Sequence, residues 1–420
     1  MTHLLSSTTA LLLISLTLTA CASNNTTRAP ASTRITSGWF SDILINAPST
    51  FGGLLADPKA HRIQILISEV VEHPDRPATL NRYRYRVDDD YIYPASAIKV
   101  AAAVAALLEV QQIAEQTGLN ITADTPLVLH PRKPDGVVRT RDDSNVANGT
   151  ITLHHEIRKT LLVSSNEAYN RLYDFVGRDQ LNQTMWDAGL TSFRLRHRLS
   201  DPGDETYHRF TPRTDIILDQ RAHTVPQRTA TLPLTDNFKN LDLRLGQAHI
   251  NNTGERINTP FDFSDKNHVA LEDLQDLIIM IARPEIDLGK PGFQLSDTHR
   301  ALILDAMSID PLDSPNPVYP RSRYQPGFAD SPVLDGVARV VTRPAVMVID
   351  KSGTAYGFKI ENGYFFDRST GTSFFLTATT YTNPNQTLND DTYGYQAANA
   401  FMTDLGVAIA KKLWIATERQ

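Results

Sequence analysis

The sequence predicts an α+β fold, with one antiparallel sheet built from both chain ends and a helical lobe inserted between them. Three observations carry that expectation. Apolar residues alternate with polar ones near residue 65 and again beyond residue 345, the period of half-buried strands. Ala97 to Glu115 is mostly Ala, Val, Leu and Ile with few polar positions and stops at Gly118, as a helix buried on most of its circumference does. The stretches between are helical in period, so the two strand regions share a sheet only if the middle forms its own lobe.

Taken in order, Ile63, Ile65 and Ile67 alternate with polar neighbours, as do Tyr83, Tyr85 and Val87 between arginines, and these read as two antiparallel strands. After the buried helix come helical stretches at Ile151–Leu162, Asn166–Val176, Gln180–Ala188, Leu271–Ala282 and Asp297–Met307. Strands return at Ala345–Asp350, Tyr356–Ile360, Tyr364–Arg368 and Ser373–Thr382, and a final amphipathic helix runs from Tyr393 to Ile415. Leu199 to Phe263 is rich in Pro, Thr and Asp and reads as loops and short strands. The lobe and its insertion span about residues 100–340 of a body covering 36–420. A cleft is expected where sheet and lobe meet.

The chain has 420 residues, 41% hydrophobic and 21% charged, which suits a globular protein with a large core. Its net charge of −6, with no basic run, argues against nucleic acid as a partner. The 12 histidines are scattered, and His154-His155-Glu156 lacks the spacing that sets two metal ligands on one helical face. Neither a metal nor another cofactor is expected, and a monomer is.

Leu4 to Ala20 is uncharged and ends at Leu18-Thr19-Ala20-Cys21, the position of the single cysteine. This resembles a bacterial lipoprotein signal, residues 1–20, whose cysteine becomes the lipid-bearing first residue. Met1-Thr2-His3 departs from that pattern in supplying no Lys or Arg; the alternatives are an ordinary secretory signal or a mis-called start codon that removed a basic n-region. Residues 21–35 are small and polar and read as a tether. The resemblance implies a periplasmic-side membrane anchor, and Ala22 after the cysteine implies the outer membrane.

Tyr93-Pro94-Ala95-Ser96-Ala97-Ile98-Lys99 opens the buried helix, placing Ser96 and Lys99 on nearly one face. A serine hydroxyl needs a base to become a nucleophile, and a lysine serves if desolvation or a second cation lowers its pKa. Val163-Ser164-Ser165-Asn166 matches S-x-N, and Lys351-Ser352-Gly353-Thr354 matches K-[ST]-G. Each has a plainer reading: Ser96 as a cap beside an exposed lysine, Ser164 or Ser165 as an N-cap, Ser352-Gly353 as a turn. Together, in this order, they resemble the S-x-x-K, S-x-N, K-[ST]-G set of penicillin-reactive serine enzymes.

Residues 50 to 415 thus resemble the class A β-lactamase catalytic-domain family. Lys351–Phe358, Phe374–Tyr381 and Asn389–Tyr393 are similar to the C-terminal half of its lipoprotein serine hydrolases. The resemblance implies a β-lactamase/transpeptidase-like fold. It makes Ser96 the acylated nucleophile, Lys99 its base, and Ser164 the relay of a proton to the leaving amine. Asn166 would contact the substrate amide, Lys351, Ser352 and Thr354 would hold its carboxylate, and the N–H groups of Ser96 and Thr354 would form the oxyanion hole, with Gly353 completing the motif.

Two departures matter. The family's loop glutamate, which activates the deacylating water, is missing: Leu199 or Ser200 stands where it is expected, with Asp201 and Glu205 as candidate substitutes. Asn166 and Lys351 are also 185 positions apart, more than a compact β-lactamase needs. The expected function is a serine hydrolase acting through an acyl-serine on β-lactam or related amide substrates. A D-alanyl-D-alanine carboxypeptidase or peptidoglycan hydrolase, or an envelope lipoprotein that binds penicillin without turnover, is the alternative.

Overall fold

A computed structural model describes residues 38–46, 53–235 and 241–415. Cys21 and the expected leader and tether, residues 1–35, lie outside the described residues. One sheet collects strands from both ends of the chain: β1 (Gln64–Val71), β2 (Thr79–Tyr85), β3 (Val346–Asp350), β4 (Gly353–Ala355), β5 (Phe358–Asp367) and β6 (Ser373–Tyr381). Their order is β3-β5-β6-β1-β2, every pair antiparallel, with β4 also on β5. The central register sets Ile65 opposite Ala378 and Ile67 opposite Leu376.

The alternation at Ile63, Ile65 and Ile67 marks one buried face, not a solvent boundary, because the other face is buried too. On the first face these isoleucines, Phe374 and Leu376 pack with Phe401 and Leu405 of α8 (Tyr395–Ala410) and Phe40 of α1 (Trp39–Asn46). On the second, Leu66, Ile360 and Phe375 join the core of the inserted lobe. The intervening polar positions are satisfied by α6 (Leu271–Ala282): Gln275 donates to Leu66 O at 2.9 Å, and Asn362 donates to Leu274 O at 2.9 Å. A buried amide without such partners would cost about 1–3 kcal/mol.

That pairing also corrects the strand count. The two expected strands, Tyr356–Ile360 and Tyr364–Arg368, merge into one, β5, because Glu361 and Asn362 are buried within the sheet rather than turned to water; Tyr356-Gly357 is the turn that enters it and Arg368 lies beyond it. Val87 lies beyond β2. The last helix stops at Ala410, and Lys411–Ile415 forms a π-helical turn.

The lobe is built around α2 (Lys99–Thr117), whose first nine residues are all buried. Its alanines let α3 (Leu153–Leu162), α4 (Asn166–Val176), α5 (Arg178–Asp187) and α7 (Asp297–Ser308) gather around it. It ends where Gly118 adopts φ +67 and donates to Ala114 O, the left-handed cap that glycine reaches without strain. Between residues 205 and 262 lie a five-residue helix and short two- to five-residue strands, as the weak periodicity there suggests.

Candidate active site

The chain enters α2 through a 3-10 turn, Ala95–Ile98, so Ser96 precedes the α-helix instead of lying in its first turn. Residues three apart eclipse in such a turn, which sets Ser96 and Lys99 on one face. Ala95 is held at φ +48, a left-handed conformation that a non-glycine residue adopts at some cost. The turn makes no side-chain cap bond, so Ser96 is not its cap.

Gly353 explains the third motif physically. A Cβ there would stand 2.7 Å from Pro94 O and 2.9 Å from Ser96 N. Only a residue without a side chain lets β4 lie against the serine turn, and that contact brings Ser352 and Thr354 to Ser96. The four residues Lys351 to Thr354 line a cavity of about 320 Å³ together with Ser96 and Ser164. A larger cavity, about 910 Å³, also reaches Ser96 and is bounded by Asn166, Thr354, Tyr356 and the 196–205 segment.

Lys99 is fully buried. Its Nζ donates to Ser164 O, to Ser164 Oγ at 2.9 Å and to Asn166 Oδ1 at 2.7 Å. Burial, and then the nearby Lys351 ammonium, push its pKa down to about 6. Two readings of the serine pair thereby divide between neighbours. Ser165 caps α4, accepting from Ala168 N at 3.2 Å, while Ser164, at φ +56, turns its polar atoms to Lys99. Lys351 is buried, with Nζ donating to Ser352 O at 3.0 Å. Burial lowers its pKa, and the Asp350 carboxylate opposes that shift.

Three asparagines fix the segment facing Ser96. Asn182 bonds both N–H and C=O of Leu195 at 2.8 and 3.0 Å. Asn267 does the same for His197 at 3.0 and 3.1 Å and also accepts from Arg196 N at 2.7 Å. Asn170 closes both bonds to Leu199 at 2.9 Å. Arg198 is buried against Asp174, to which its Nε donates at 2.8 Å, and stacks 4.8 Å above the Tyr173 ring. Seven amide bonds and a buried ion pair set this stretch rigidly.

The expected glutamate position is filled as the sequence reads: Leu199 is buried, and Ser200 is exposed with its Oγ accepting from Asn166 Nδ2 at 2.7 Å. Both candidate substitutes line the larger cavity, and both are engaged. Asp201 meets Arg132 at 2.8 Å and accepts from Tyr207 OH at 3.1 Å, and Glu205 meets Arg178 at 3.3 Å.

Sequence reasoning missed the aromatic wall and the asparagines. Tyr93 lies 5.0 Å from Tyr356 and stacks on His197 at 6.2 Å, with burial pushing His197 down to about 3. Asn170 carried a usable signal, standing four residues after Asn166 on one helical face. Asn267 and His197 carried none, since they meet only through the tertiary fold.

Residues 75–232 match the sequence profile of the β-lactamase enzyme family. No match to a curated protein was found. Among solved structures, the chain is similar to a β-lactamase from Desulfarculus baarsii, with 15% identity over 88% of this chain and 98% of that one and a TM-score of 0.50. A β-lactamase from Burkholderia vietnamiensis (14% identity, 88% and 96% covered, TM-score 0.47) and the protein PBP-A (14%, 90% and 97%, TM-score 0.46) are also similar. The chain therefore has the β-lactamase/transpeptidase-like fold, and the part matching the β-lactamase family is the part that carries Ser96, Lys99, Ser164 and Asn166.

Proposed function

We propose that this chain is a β-lactamase-like serine hydrolase that opens β-lactam or related amide bonds through an acyl intermediate on Ser96. The Lys99 amine carries the reading. Burial and the Lys351 charge push its pKa down to about 6, which favours at pH 7 the neutral amine whose lone pair can accept a proton.

In acylation, the Ser96 hydroxyl proton passes to Lys99 as Oγ bonds to the substrate carbonyl carbon. The C–N bond then breaks. The leaving nitrogen takes a proton through the Ser164 hydroxyl, which Lys99 resupplies across the 2.9 Å contact. The Ser96 and Thr354 N–H groups stabilise the oxyanion, and Lys351, Ser352 and Thr354 receive the substrate carboxylate. Water later cleaves the ester, releasing the acid and returning the proton to Ser96.

The ion pairs of Asp201 and Glu205 with arginines favour slow release, and so a second reading, a penicillin-binding protein or D-alanyl-D-alanine carboxypeptidase. Cys21 and the apolar run before it support a lipid anchor on the periplasmic side of the outer membrane. Incubating the purified protein with a fluorescent penicillin and a chromogenic cephalosporin separates the readings. Labelling on Ser96 with fast colour change is expected of a β-lactamase, and labelling with little colour change of a penicillin-binding protein. No labelling of Ser96 overturns the acyl-enzyme reading.

A further inference from the structure

Asn166 is held at both ends of its amide. Oδ1 accepts from Lys99 Nζ at 2.7 Å, and Nδ2 donates to Ser200 Oγ at 2.7 Å. Ser200 is exposed and sits at φ +47, a conformation a serine adopts only when its surroundings impose it. They do: Leu199 before it is pinned on both backbone groups by Asn170, one turn beyond Asn166 on the same helix. The residue before Ser200 is thereby fixed, and the Ser200 hydroxyl lies on the Asn166 amide.

From this geometry we infer that Ser200 is a positioning residue that holds Asn166 on Lys99 and tunes the lysine's proton affinity. The inference rests on Lys99 being the base of the acylation reaction. When Lys99 takes up a proton, its ammonium has three N–H donors, and Ser164 O, Ser164 Oγ and Asn166 Oδ1 accept them. Lys351 is the charged group that opposes this uptake. Donation from Nδ2 to Ser200 both restrains the side chain and polarises the amide, making Oδ1 a better acceptor. Removing the hydroxyl weakens one of three bonds to the ammonium and lowers the affinity of Lys99 for its proton.

The test is a carbon-13 titration of the Lys99 ε-methylene in the full-length protein, its resonance identified by its loss in Lys99→Met. Wild type is expected to titrate near pH 6. Ser200→Ala and Ser200→Gly should lower proton affinity by up to roughly tenfold, the upper bound set by complete loss of the Asn166 hydrogen bond. Glycine is the second variant because it accepts the left-handed backbone without strain, so loss of folding cannot mimic the effect. Ser200→Asn, which tolerates that backbone and restores an acceptor, should return the midpoint toward wild type. A midpoint unchanged in both Ala and Gly variants overturns the inference. The titration needs no substrate, so a wild type that fails to react with penicillin overturns only the acyl-enzyme reading.

Discussion

Gly353 and Ser96, 257 positions apart in the chain, are in backbone contact: a Cβ on the glycine would stand 2.9 Å from the serine nitrogen. β4, the short strand paired beside β3 on β5, is thereby pressed onto the turn that starts the core helix. Because both obstructing atoms, Pro94 O and Ser96 N, are backbone, Gly353→Ala cannot be relieved by a rotamer change. It should cost about 1–3 kcal/mol of stability and displace Thr354 from Ser96. Thermal unfolding together with penicillin labelling checks this, and a variant that labels at the wild-type rate contradicts the contact.

Ser96→Ala should remove covalent labelling while leaving the melting temperature nearly unchanged. The serine side chain caps nothing. Intact-mass measurement after penicillin treatment reads the result, and a retained adduct on another serine means the nucleophile is misassigned.

Acylation should rise with pH through about 6 as Lys99 loses its proton, then level off. Lys99→Arg should be inactive, since guanidinium stays protonated. The same shift affects stability, with a definite sign. Between pH 6 and the ordinary lysine value of 10.5, the unfolded chain holds a proton the folded chain has released. This group's contribution to stability therefore grows as pH rises and falls as pH drops toward 6, on the order of 1 kcal/mol per pH unit. Denaturant unfolding of wild type and Lys99→Met across that range should show the slope flattened in the variant.

Turnover should be slow. General-base assistance is worth about 10²–10⁴ in rate, and the cavity carboxylates nearest the expected position are bound to Arg132 and Arg178. Stopped-flow mixing with a cephalosporin should show one equivalent consumed in a burst, followed by a low steady state. Sustained fast hydrolysis would contradict this. If Glu205→Gln then abolished the hydrolysis while Ser96 still acylated, Glu205 would be the base.

Cys21→Ser should release the protein from the membrane fraction or leave it unprocessed. Detergent partitioning of the variant reads this, and unchanged partitioning argues against the lipid anchor.

The local pattern of the sequence determined which segments are strands and which are helices, because burial periodicity is written in consecutive residues: α4 and α6 begin and end where the apolar pattern does. It also marked Ser96, Lys99, Ser164, Asn166 and Lys351 to Thr354, since the chemistry restricts residue types at short spacings. Tertiary structure decided the rest. That Ser165 and not Ser164 caps α4, while Ser164 takes a left-handed backbone against Lys99, is visible only in the packed structure. β5 is one strand because Asn362 finds partners on α6 and β6, 88 and 15 residues away in sequence. Asp201 and Glu205 are occupied by arginines on other elements, and Ser200 reaches Asn166 because Asn170, Asn182 and Asn267 fix the stretch before it. Hydrogen bonds and desolvation depend on distance in space, and no sequence spacing encodes them.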